Sequence, residues 1–406
     1  MSTPTPDFVV RNASVPSRDG TVDVALAAGR IAAVEPALDR TAPAEVDAAG
    51  RLTVAGLVDA HVHIDQAFAA EGEPTPRYND GPFVKAERIA DAADYFRRTP
   101  AATLTENAVR AAELAAANGV TRLRTHAYVD GTVGTKAVEA VLAARERVGD
   151  LLDVEVVAFP QRGLLADPGS RDAAAEALAA GAAVLGGLDP ASVNEDVDAT
   201  IEAWFDLAAA HDVPIDAHVH DRGEPGLETL DRLLEATIDR GYEGRVAVSH
   251  AFALADADDP AALAERFARA GVGVVTCYLS TPPGMPIAAF REAGVPVAMG
   301  TDQVRDMWSP HGNADPLQGA LVESLRLSGP YTRNDGLAAL WELLTTGAAT
   351  LLDAPADGIV PGAPADLVVF DAPSPQWAIT TQPRVVHGIK DGVRVVEDGE
   401  VLETGR

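Results

Sequence analysis

The stretch GLVDAHVHID, residues 56–65, decides how the rest of the chain is read. It is an apolar run that carries two histidines one residue apart. Side chains alternate along a strand, so His61 and His63 point to the same side. Two imidazoles buried together are costly unless each finds a partner. Neutral imidazole is a good ligand for zinc or iron, and a shared metal ion would remove that cost. A hydrogen-bonded pair of core histidines is the competing reading. The His-x-His spacing alone does not separate the two.

Seven further apolar runs follow: 121–129, 153–160, 182–190, 214–220, 245–252, 271–279 and 295–302. Between most of them lie stretches such as LTENAVRAAELAAANG and VDATIEAWFDLAAAHD, whose apolar residues recur three and four apart. That period predicts amphipathic helices. Eight βα units in succession predict a closed (β/α)8 TIM barrel over 56–355. Active sites of such barrels lie at the C-terminal strand ends. His61, His63, His126, Gln161, His218, His220, His250 and Asp302 all fall at those ends. Near the N-terminus DFVVRNASV and TVDVALAAGRIAAVEPAL read as short strands, as do ADLVVFDA and VHGIKDGVRVVEDGEVL near the C-terminus. They predict a small β-sandwich domain built from 1–55 together with 356–406.

The chain has 406 residues and 47% hydrophobic content, enough for both units. Its one cysteine, Cys277, excludes disulfides within the chain and cysteine-rich zinc sites. On strand seven it reads as a small buried hydrophobe. A net charge of -29 argues against a nucleic-acid partner. The start of the chain shows no basic and apolar leader, and no apolar run is long enough to span a membrane. A cytoplasmic, homo-oligomeric protein acting on a small molecule is expected. Lysine occurs only at 85, 136 and 390. So acidic and lysine-poor a surface suggests adaptation to concentrated salt, hence a halophilic source.

GLVDAHVHID, SHAF (249–252) and MGTD (299–302), with the split β domain, resemble the amidohydrolase superfamily over nearly the whole chain. FPQRG (159–163) and GTDQVRDMWSPHGNADPLQ (300–318) are similar to its cytosine deaminase-like branch. The resemblance implies a divalent metal, zinc or iron, on His61, His63, His218 and Asp302. It implies that His250 contacts the attacking water and that Asp302 also accepts a proton. It places Gln161 against an amide edge of the substrate and Trp308 on its face. Dinuclear members use a carbamylated lysine, typically at strand four. No lysine lies between 136 and 390, so one metal is expected.

Two departures from the pattern stand out. Related mononuclear deaminases carry His-x-x-Glu at strand five, whereas this chain reads HVHDRGE (218–224). Asp221 stands at the acid offset, Glu224 is the alternative acid, and His220 is the alternative ligand to His218. Gln303 stands where the cytosine deaminase pattern has a second aspartate. His126 is a candidate for the pocket wall. The expected function is metal-dependent hydrolytic deamination of a cytosine-like or related nitrogen heterocycle. The alternatives are cleavage of another C–N bond, as in an N-alkyl aminotriazine or cyclic amide, and a catalytically inactive metal-binding relative.

Overall fold

The computed structural model describes residues 5–71, 84–279, 282, 284–327, 333–355 and 358–403. Five short strands come first: β1 (Phe8–Ala13), β2 (Val22–Ala27), β3 (Arg30–Glu35), β4 (Ala44–Asp47) and β5 (Leu52–Ala55). Eight strands follow: β6 (Leu57–Val62), β7 (Val120–Tyr128), β8 (Asp153–Phe159), β9 (Val184–Leu188), β10 (Ile215–His218), β11 (Val246–Ser249), β12 (Val272–Cys277) and β13 (Val297–Gly300). These pair in sequence order, each parallel to the next. Val62 bridges to Asp302, so the last strand returns to the first. This is the (β/α)8 TIM barrel read from the sequence.

Helices alternate with the strands because their apolar stripes cover the outer face of the sheet. Trp204, on the helix Val197–His211, is fully buried and lies where a side chain at Gly187 of β9 would stand. Helix starts are capped where the sequence supplies aspartate. Asp196 accepts from the Ala199 amide at 2.9 Å, and Asp259 from the Ala262 amide at 3.0 Å.

His61, His126 and His218 lie within their strands, whereas His63, Gln161, His220, His250 and Asp302 stand just beyond theirs. His250 and Asp302 take left-handed backbone conformations, with φ of 70° and 65°. Such conformations cost about 1 kcal/mol or more in a non-glycine residue and cluster at functional sites. The closing seam runs through the same residues. His63 N donates to Asp302 O, and Asp302 N donates to His61 O, each at 2.8 Å.

Four closing strands complete the chain: β14 (Leu367–Phe370), β15 (Val385–Lys390), β16 (Val393–Glu397) and β17 (Glu400–Val401). One sheet has the order β3-β2-β1-β4, and the other β17-β16-β15-β14-β5. Val10, Leu26 and Ile31 of the first sheet share an apolar cluster with Leu367, Val369 and Ile389 of the second. Both chain ends therefore build one sandwich. We propose 1–55 with 356–406 as its extent; residues 356 and 357 of that boundary lie outside the described residues.

Gly300 sits on β13 against His61. A Cβ there would lie 2.4 Å from the His61 carbonyl oxygen and 2.7 Å from its amide nitrogen. Both are backbone atoms of the barrel seam and have little room to shift. Gly300→Ala is expected to destabilise the barrel by about 1–3 kcal/mol. Urea unfolding checks this, and an unchanged midpoint would contradict the close approach.

Candidate metal centre

Five histidines from four strand ends, those of β6, β7, β10 and β11, meet at the C-terminal end of the barrel. His61, His63, His126, His218 and His250 are all buried, at 5% exposure or less. His63 Nε2 and His218 Nε2 face one another at 3.3 Å. Asp302 Oδ1 lies 3.7 Å from His61 Nε2 and 3.8 Å from His63 Nε2. The four residues expected to hold a metal thus converge. His61 Nε2, though fully buried, makes no hydrogen bond. Leaving such a group unsatisfied is costly, and a metal ion on its lone pair removes the cost. Burial pushes the pKa values of all five imidazoles down, that of His63 to about 3. They are therefore neutral at pH 7, as ligands must be. The donor set and its environment fit a divalent ion.

Two other groupings of donor atoms overlap this one. His61, His250, Cys277 and Asp302 lie within 4.8 Å of one another, and so do His61, His126 and His218. Burial pushes the Cys277 thiol well above its usual range, so in the absence of a cation it stays protonated. We favour His63 because it faces the open cavity, whereas His126 is fully buried beneath the cluster.

Above the centre opens a cavity of about 550 Å³. His63, His218, His250 and Asp302 reach into it from below. Phe159, Leu188, Phe252, Leu279 and Trp308 supply apolar wall. Phe159 also stacks on His218 with ring centroids 4.2 Å apart. Gln161 and Gln303 line the wall, and neither makes a side-chain hydrogen bond among the described residues. Asp306 is buried and accepts from the Trp308 amide at 2.8 Å, which shapes the loop carrying that ring.

Three expected site residues stand elsewhere. His126 does not reach the cavity, because its ring packs under His61 and His218. Asp221 is turned away: it accepts from Lys85 Nζ at 3.0 Å and from the Ser192 amide at 3.1 Å. Glu224 is exposed in the first turn of the helix Gly223–Asp239, off the cavity wall. His220 and Lys85 line the wall instead. His220 Nδ1 lies 2.9 Å from the fully buried Asp189, which also accepts from Lys85 at 2.8 Å. Burial opposes the Asp189 charge, but His220 and Lys85 more than offset it and hold the carboxyl well below its usual range. Sequence reading missed Asp189 and Lys85. Asp189 ends the run AAVLGGLDP at strand four, a place where an acid carries a signal, whereas nothing in the pattern around Lys85 points inward.

Residues 83–396 match the sequence profile of the Amidohydrolase family. The chain belongs to the amidohydrolase family. Over 98% of each chain, it is 38% identical to the N-isopropylammelide isopropyl amidohydrolase of Pseudomonas sp. strain ADP. The crystal structure of N-isopropylammelide isopropylaminohydrolase from Burkholderia multivorans superposes with a TM-score of 0.89 at 33% identity, covering 97% of this chain and 99% of that one. The 5-methylcytosine deaminase from Klebsiella pneumoniae shares the fold, with a TM-score of 0.85 at 24% identity over 98% and 99% of the chains. As an amidohydrolase, the protein is a metal-dependent hydrolase of carbon–nitrogen bonds. These relatives lend no support to a halophilic source. No helix among the described residues is long and apolar enough to cross a membrane.

If His61 and Asp302 hold the metal, as their convergence suggests, His61→Ala and Asp302→Ala are expected to lose it on dialysis, whereas His311→Ala, at the cavity rim, retains it. Elemental analysis of the dialysed proteins checks this. Metal retained by both ligand variants would contradict the site.

Proposed function

We propose that this enzyme hydrolyses the exocyclic C–N bond of an N-alkylamino heterocycle bearing ring carbonyls, of the triazine or pyrimidine class, and releases an alkylamine. The observation that carries the reading is the pair Gln161 and Gln303 on the cavity wall, with amides not engaged by other side chains. Each amide offers both a donor and an acceptor, which suits alternating ring C=O and N–H groups. Neither supplies the negative charge that would favour a cationic amidine such as protonated cytosine. Leu188, Phe252 and Leu279 give an alkyl substituent an apolar surface, and about 550 Å³ exceeds what bare cytosine needs. Near full-length similarity to an enzyme named for N-isopropylammelide supports the same reading.

We assign one divalent ion per chain, zinc or iron, to His61, His63, His218 and Asp302. When bound, it supplies a Lewis acid that brings the pKa of water toward neutrality. His250 and Asp302 orient the attacking water and receive its proton. Gln161 and Gln303 hold the ring edge, and Trp308 covers its face. His220 delivers a proton to the departing nitrogen, since Asp189 holds its Nδ1 and the ring lines the cavity. In this assignment His220 takes the role first read for Asp221 or Glu224. One water is consumed; its oxygen ends on the ring carbon and its protons are shared out so that a neutral amine leaves. A cytoplasmic homo-oligomer remains our reading of the assembly. Leu325 and Trp377 support it, standing exposed on two helices that pack together.

The expected outcome is a kcat/KM higher for N-alkylamino dioxotriazines than for cytosine, measured across triazines, pyrimidines and cyclic ureas. Gln161→Ala should cost about 1–3 kcal/mol in kcat/KM through the unpaired ring edge. Cytosine as the preferred substrate would overturn the substrate reading. In a separate comparison, His220→Ala should slow kcat by roughly 10²–10⁴ with metal retained, and Asp221→Asn by less. The reverse ranking would return the acid to Asp221.

A further inference from the structure

Beneath the metal centre lies a buried chain of polar groups that touches neither the cavity nor any substrate. Arg124 on β7 is 4% exposed, and its Nη1 donates to Asp216 Oδ2 at 3.0 Å. Asp216 on β10 is fully buried, and its Oδ1 accepts from Ser249 Oγ at 2.6 Å. Ser249 ends β11, is fully buried, and its Oγ lies 2.9 Å from His61 Nδ1. Arg124 is in turn held by Glu155 on β8 at 2.5 Å. Five strands contribute: β6, β7, β8, β10 and β11.

Only one arrangement of protons satisfies the chain. A carboxylate paired with Arg124 has no proton to give, so it accepts from the serine hydroxyl. The hydroxyl's single proton is then committed to Asp216. Its oxygen can only accept from His61, which places the imidazole proton on Nδ1. Nε2 keeps its lone pair, and Nε2 is the atom that makes no hydrogen bond and faces Asp302 at 3.7 Å.

We propose that Ser249 is a positioning residue that fixes the tautomer and rotation of His61, and that Asp216 and Arg124 set the direction of its hydroxyl. It thereby makes His61 Nε2 a prepared ligand. Histidine ligands of metals generally need such a partner on the second nitrogen, and its loss typically costs roughly 10–100-fold in metal affinity. His61 depends on a side chain for this support, and the arrangement is therefore open to mutation. The proposal rests on the metal-site assignment above and is independent of the substrate.

The test is zinc affinity, measured by chelator competition on the full chain. Ser249→Ala should raise the zinc Kd by roughly 10–100-fold, and Ser249→Thr, which keeps the hydroxyl, should restore most of it. In the zinc-loaded wild-type protein, ¹⁵N NMR should show a slowly exchanging His61 proton on Nδ1, identified by its loss in a His61→Asn sample. That measurement keeps the proposal testable even where Ser249→Ala fails to fold. Equal zinc affinity in Ser249→Ala and wild type, or a His61 proton on Nε2, would overturn it. Wild-type protein that binds no zinc would overturn the metal site and this proposal together.

Discussion

Five neutral imidazoles are packed into the dry end of the barrel, and everything near them follows from that constraint. Desolvation alone would make such a cluster a liability, because each ring brings a nitrogen that must be satisfied. The structure satisfies the second nitrogen of His61 internally, through Ser249, and Asp189 holds the neighbouring His220 in the same way. The remaining lone pairs of His61, His63 and His218 are directed toward Asp302 or one another. A divalent cation bound at their meeting point would turn this mutual exposure of lone pairs into coordination. The strained backbone at His250 and Asp302 and the seam bonds linking Asp302 to His61 and His63 tie this geometry to barrel closure.

Above this floor the cavity changes character. Its wall is mainly aromatic and aliphatic, with Gln161, Gln303 and Ser309 as neutral polar contacts and His220, His311 and Lys85 also lining it. Lys85 is held by Asp189, Asp221 and Ser192, so its charge is matched within the protein. Such a wall suits the uncharged, flat, partly apolar substrate proposed above, with the charged groups gathered at the reacting atom. That division of labour is what hydrolysis of an N-alkylamino ring requires.

Much of this was legible in the sequence because two periodicities carry it. Eight apolar runs separated by helical stretches gave the barrel and the position of each strand end. The strand parity of His61 and His63 gave the first pair of candidate ligands, and both rings do face the same end of the barrel. What was not legible was which way loop residues turn. Asp221 occupies the offset where an acid is expected, but Lys85, 136 residues earlier in the chain, pulls it off the cavity. His126 obeys the strand-end rule yet sits one layer too deep, since β7 continues to Tyr128 and carries two residues beyond it. Asp189 was passed over although it ends a strand run, because its significance lies in contacts to residues 31 and 104 positions away. Long-range side-chain pairing leaves no periodic trace, so only the assembled barrel reveals it.

The account depends most directly on which atoms hold the metal. X-ray absorption spectroscopy of the zinc-loaded protein measures this. Three nitrogen scatterers at about 2.0–2.1 Å with imidazole outer-shell features, the remaining shell being oxygen, are the expected result. A sulfur scatterer at about 2.3 Å would place Cys277 in the coordination sphere and contradict the assignment, as would a shell of oxygen without imidazole.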